Sequence, residues 1–153
     1  MVISSKLSRL LVAGAITATA TGIGVTSASA NTGGCNALPS ASSVIDSNSY
    51  SQPAVGVNIG VGTANGDFLG AYGSNYGDFD LVYNKAAGSA ISVYFEYFHI
   101  YSGGGCATYT SGTYTIDAGQ KQFYKFSGLP AWGDGAVIAM HVANEGWVEI
   151  LVS

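Results

Sequence analysis

The chain has 153 residues, of which 48% are hydrophobic and only 9% charged, and its formal net charge is −4. Five basic residues against nine acidic ones would be repelled by phosphate backbones and anionic lipid, which excludes nucleic acid and charged membrane surfaces as expected partners. Charged residues fall far below the ~25% usual for soluble domains, so Tyr, Ser, Thr, Asn and Gly must supply the polarity, a surface suited to neutral glycans, other proteins or itself.

Lys6 and Arg9 precede an apolar, Ala/Thr-rich run over residues 10–25, and Ala28-Ser29-Ala30 closes it. Basic flank, apolar middle and small residues before a cut form the pattern of a secretory signal peptide. Gly14, Gly22 and Gly24 break the run, which is short for a bilayer span. The expectation is cleavage after Ala30, leaving a single secreted domain over residues 31–153 with no transmembrane anchor. Cleavage removes Lys6 and Arg9, taking the formal charge from −4 to −6.

Residues 31–50 read as an extended N-terminal arm tied down at Cys35, rich in Ser, Asn and Gly, with a short apolar piece at residues 43–46 and room for one short strand. Cys35 and Cys106 are the two cysteines, and export places them where disulfides persist. Pairing them closes a loop of about seventy residues, worth on the order of 4 kcal/mol by the chain-entropy argument.

Residues 54–61 alternate Val55, Val57, Ile59 and Val61 with small or polar residues, the period-2 pattern of a half-buried strand. Residues 62–78 are too glycine-rich for a helix and read as a long loop holding one short strand at 68–72; long loops carry function. A strand follows at 79–83, then a turn at 84–88. Residues 89–101 form the longest strand, with Ile91, Val93, Phe95, Tyr97, His99 and Tyr101 on one face. Aromatic residues on both of its faces place it in the middle of a sheet. Further strands are read within residues 108–117, and at 120–127, 136–142 and 147–152; the loop at 128–135 reads GLPAWGDG. Lys121, Phe123 and Lys125 share one face of the 120–127 strand, where lysines discourage edge pairing. With no helical period in the mature chain, the fold is expected to be all-β, an antiparallel β-sandwich of roughly seven to nine short strands.

The chemistry-bearing residues are sparse. The glycines at 60, 62 and 66 do not have dinucleotide-loop spacing. Asp67, Asn75, Asp78 and Asp80 offer oxygen donors of the kind Ca²⁺ takes, but turn chemistry already accounts for them, so no cofactor is expected and calcium at Asp67, Asp78 and Asp80 is the weaker alternative. His99 and His141 lie in strands with no marked serine beside them, and the carboxylate pair for a glycosidase would have to be Glu96 and Glu149. No catalytic residue is therefore assigned and the protein is expected not to be an enzyme. The suggestive set is aromatic: Tyr72 and Tyr76 in the long loop, with Pro130 and Trp132 in GLPAWGDG. Loop aromatics give rigid contact area and stack on sugar faces. The leading expectation is a secreted, non-enzymatic binding module engaging a protein partner through Tyr72, Tyr76, Pro130 and Trp132 and through the arm, which could add to a partner's sheet edge. The alternatives are an inhibitor of a secreted hydrolase presenting the Pro130 loop, a neutral-polysaccharide-binding protein, and a component of a toxin or surface assembly.

Overall fold

The structure is a computed structural model that describes residues 38–153. The expected signal peptide and Cys35 lie outside the described residues. Ten strands run in chain order: β1 (Val44–Tyr50), β2 (Asn58–Thr63), β3 (Gly66–Tyr72), β4 (Asp78–Lys85), β5 (Ile91–Ile100), β6 (Cys106–Thr110), β7 (Tyr114–Ile116), β8 (Lys121–Ser127), β9 (Gly135–Val142) and β10 (Gly146–Val152). Single 3₁₀ turns at Ala41–Ser43 and Ser74–Tyr76 are the helical elements of the described residues. The protein is all-β.

The strands form two sheets. The larger has the order β1-β10-β9-β5-β6, with β7 also on β5, and the smaller has the order β2-β3-β4-β8. Parity decides which side chains each sheet sends inward. From β5 these are Val93, Phe95, Tyr97 and His99; from the smaller sheet they include Phe68, Tyr72, Phe79, Leu81, Tyr83 and Phe126. Inward residues of both sheets join one apolar core. Phe68 stacks on Phe95 at 5.9 Å, and the hydroxyls of Tyr72 and Tyr97 meet at 3.1 Å, so core contacts pass between the sheets.

Three sequence expectations need correction. The ten strands exceed the expected seven to nine, and residues 62–78 are not a long loop: β2 and β3 form a tight hairpin across Ala64-Asn65, pairing Thr63 with Gly66. Its glycines fit a sheet because neighbouring backbone and rings fill the space where side chains would be. The second half of the expected arm, Val44–Tyr50, is an edge strand that pairs with β10, and in parallel, so the architecture is not purely antiparallel. β1 is paired on one side only, by β10, so its other edge keeps the unpaired backbone groups of an edge strand. Cys106 is not a free thiol, and Cys35, its expected partner, lies outside the described residues.

The larger sheet's outer face carries a second apolar group: Phe98, Val137, Ala139 and Leu151, with Leu38, Ile100, Cys106 and Trp147 packed on it. This explains why β5 is apolar on both faces. The sequence around Cys106 thus sits against the outer side of the sheet that β5 organises.

Candidate functional site

Register across the smaller sheet builds a face from residues scattered over four strands. Gly60 opposes Leu69, Leu69 opposes Val82, and Val82 opposes Phe123. These four point away from the core and make one apolar row across the strands, about 14 Å long for three inter-strand spacings. The row on one side reads Asn58, Ala71, Asp80 and Lys125; the row on the other reads Gly62, Asp67, Asn84 and Lys121. An apolar stripe therefore runs between two polar borders.

That face is hollowed into a trough of about 610 Å³, with Asn58, Asp67, Leu69, Asp80, Val82 and Phe123 in its lining. Phe123 is 68% exposed, the largest exposure among the exposed large apolar side chains of the described residues. At the β2 edge, Asn48 and Tyr50 of β1 complete the lining. The Tyr50 hydroxyl donates to the Gly60 carbonyl at 2.6 Å and accepts from the Gly60 amide at 2.9 Å, while Asn48 Nδ2 donates to the same carbonyl at 3.1 Å. The edge strand β1 is thus what fixes that end of the trough.

The three candidate calcium ligands do not converge on one vacancy. Lys125 Nζ lies 3.3 Å from Asp78 Oδ2 and 3.5 Å from Asp80 Oδ1, so a lysine ammonium supplies the positive charge beside them. The hydrogen bond that Lys125 donates to Asp78 and the charge of both carboxylates hold the Lys125 pKa above its ordinary value. Asp67 lies across the apolar row from Asp80. No cluster of three or more His, Cys, Asp or Glu positioned for a metal occurs among the described residues.

The aromatic set falls elsewhere. Tyr72 is 1% exposed, a core residue rather than a loop contact. Its ring packs edge-on to Tyr76 at 5.2 Å and to Trp132 at 5.3 Å, and Tyr76 and Trp132 also touch at 5.3 Å. Tyr76, Pro130 and Trp132 remain half-buried. The structure brings Tyr72, Tyr76 and Trp132 together, but as a plug over one end of the core. Burial is the first cause that raises the Tyr72 pKa, and it pushes Tyr97 up to about 12. Their shared hydrogen bond makes a double-mutant prediction. Tyr72→Phe or Tyr97→Phe alone should cost about 1–3 kcal/mol by orphaning the other hydroxyl, and the double variant should cost less than the sum. Urea denaturation of the three variants checks this; additive losses would mean that the bond carries no coupling.

The remaining titratable candidates occupy the larger sheet. Glu96 and Glu149 share its outer face, each opposite Ala139. Burial raises both, Glu149 to about 7, and a hydrogen bond from Thr110 partly offsets the rise at Glu96. Glu149 is 4% exposed, so the pair is not an open cleft. His141 stacks on Tyr94 at 4.8 Å and meets Trp147 edge-on at 4.7 Å. His99 is 1% exposed with neither ring nitrogen hydrogen-bonded, and burial lowers its pKa.

Sequence reading passed over Phe123. Its signal was present: a large ring alone between Lys121 and Lys125 on the solvent face of a strand has no packing reason to be there.

No protein-family model and no curated protein matches this chain. Among solved structures, Pseudomonas fluorescens alkylpurine DNA glycosylase AlkC, bound to DNA containing an abasic site analog, is similar at 12% identity. The similarity covers 69% of this chain but 27% of that one, and its TM-score of 0.30 is too low to carry an argument about fold or function.

Proposed function

We propose that this chain is a secreted, non-enzymatic binding module, a two-sheet sandwich with a Cys35–Cys106 disulfide, and that its ligand is a neutral oligosaccharide lying along the smaller sheet. The observation that carries this reading is the row Gly60, Leu69, Val82 and Phe123, set between borders of amides, carboxylates and lysines. Sugar rings present apolar C–H faces with hydroxyls around their edges, so an apolar stripe with polar borders is complementary to them, and Phe123 supplies an exposed ring to stack upon. Size separates this from a protein partner. Protein interfaces take about 800 Å² per partner, whereas concave sites of about 300–1,000 Å³ hold small ligands. Both signs of charge border the stripe and the protein as a whole is acidic, which disfavours anionic polymers.

Phe123→Ala should reduce binding to a neutral polysaccharide at least about tenfold, or 1.4 kcal/mol, while leaving the melting temperature unchanged because the ring is solvent-exposed. Pelleting with cellulose, chitin, starch and xylan, followed by affinity electrophoresis of both proteins, measures this. A wild-type chain that binds none of them removes the reading.

A second reading, a protein partner or an inhibited hydrolase, has its own support in the half-exposed Tyr76 and Trp132 beside Pro130. It requires that Trp132→Ala, rather than Phe123→Ala, abolish co-elution or inhibition.

A further inference from the structure

A separate cavity opens where the two sheets meet near the β2–β3 and β9–β10 turns, about 260 Å³ in volume. It shares no lining residue with the trough. Its apolar wall is Ile91, Met140, Val142 and Val148, with the buried Tyr83 ring beside them. Two carboxylates belong to its lining, Asp46 of β1 and Glu145 of the β9–β10 turn, and no lysine or arginine does. Burial is the first cause that raises the Tyr83 pKa, a hydrogen bond with Thr63 lowers it, and the charges of Glu145, Asp67 and Asp46 raise it further.

The backbone is shaped to bring Asp46 and Glu145 to this lining. The β1–β10 register shifts between Val44 and Asp46, the sort of irregularity that re-aims a side chain. Asn144 takes a positive φ of 64° to turn the chain into Glu145. Gly146, at φ +139°, lets Ser43 and Ile45 come close, and a Cβ there would strike the Ser43 carbonyl. The nearby lysine, Lys85, is fully buried and donates to the Ala87 carbonyl. Among the described residues the ion pairs are those of Lys125 with Asp78 and Asp80, and none reaches Asp46 or Glu145.

We propose that this cavity binds a small organic cation, an alkylammonium whose apolar body enters between the sheets while its charged head stays at the Asp46–Glu145 mouth. The lining holds only two carboxylates, and Met140, Val142 and Val148 reward a hydrocarbon body that a hydrated metal ion does not have. A neutral apolar ligand would gain nothing from the two carboxylates at the mouth. An ammonium on a short hydrocarbon chain satisfies both halves of the site.

The test uses butylammonium and the neutral butanol as probes on the full secreted chain, followed by ¹⁵N NMR. Butylammonium should shift the amides of Ile91, Val142 and Val148, and butanol should bind at least about tenfold more weakly. The D46N/E145Q double variant should lose butylammonium affinity by a similar factor. Equal binding of the two probes to the wild type, shifts that leave this cavity untouched, or undiminished binding by the double variant would overturn the assignment. The probe comparison needs no variant to fold, and none of these results depends on whether the trough binds glycans.

Discussion

Glu149→Gln should raise the stability of this protein at pH 8 by about 3 kcal/mol and leave it nearly unchanged at pH 4. Burial raises the Glu149 carboxyl from an ordinary 4.5 to about 7. Trp147 and Leu151 flank it along the outer face of β10, with Ala139 and Ser47 opposite it on β9 and β1. The facing titratable groups are Glu96, across Ala139, and His141, beside Trp147. The folded protein therefore holds the Glu149 proton more tightly than the unfolded chain does. The stability this confers is complete below about pH 4.5 and is lost as the pH rises through about 7. Glutamine keeps the shape of the protonated acid and never ionises, so the variant keeps what the wild type loses. A rise in melting temperature on the order of 10 °C at pH 8 is the expected readout.

His99 works in the opposite direction. Its pKa is lowered by burial from 6.5, so its contribution is present at high pH and is lost as the pH falls below that value. The wild-type pH profile mixes the two slopes. Because His99 is present in both proteins, the difference between wild type and Glu149→Gln isolates the carboxyl. Equal melting temperatures at pH 8 would mean that Glu149 is hydrated in solution and not buried as described.

What the sequence revealed and what it hid divide along local and non-local causes. The parity of β5 placed Val93, Phe95, Tyr97 and His99 on one face, and they do point inward together. The alternation of β8 was equally readable, with Phe126 inside and Lys121, Phe123 and Lys125 outside. Such patterns lie within one strand and need no partner to be seen. The hairpin of β2 and β3 could not be read this way, since Gly66 and Gly70 resemble loop glycines until the strand opposite is known. Tyr72 looked exposed for the same reason: its glycine-rich surroundings suggested a loop, whereas they are a sheet that buries it. The trough was the least legible feature. Gly60, Leu69, Val82 and Phe123 come from four strands, and only the pairing register puts them in one row.

Gly70→Ala should be among the most destabilising single-methyl changes in the smaller sheet. Gly70 faces the core from β3, between Phe68 and Tyr72, and opposes Leu81. A Cβ at this position would overlap the ring of Phe79 and crowd the Asp80 carbonyl at 3.0 Å. The Phe79 ring has no free direction in which to move. It is 0% exposed, packs edge-on to Tyr72 at 4.9 Å and lies 5.9 Å from Tyr97. Overpacking of this kind costs about 1–3 kcal/mol, and strain passed to a buried hydrogen-bonded pair places the loss at the upper end. The displacement would travel from Phe79 to Tyr72, and from Tyr72 to Trp132, whose ring packs against it. In a Trp147→Phe background Trp132 is the remaining tryptophan, so its fluorescence reports the far end of that path. Gly70→Ala should lower the urea midpoint and shift Trp132 emission to the red in the still-folded protein. A lowered midpoint with unchanged emission would mean that Phe79 absorbs the strain locally; an unchanged midpoint would show that β3 and β4 move apart freely, contrary to the close approach that Gly70 permits.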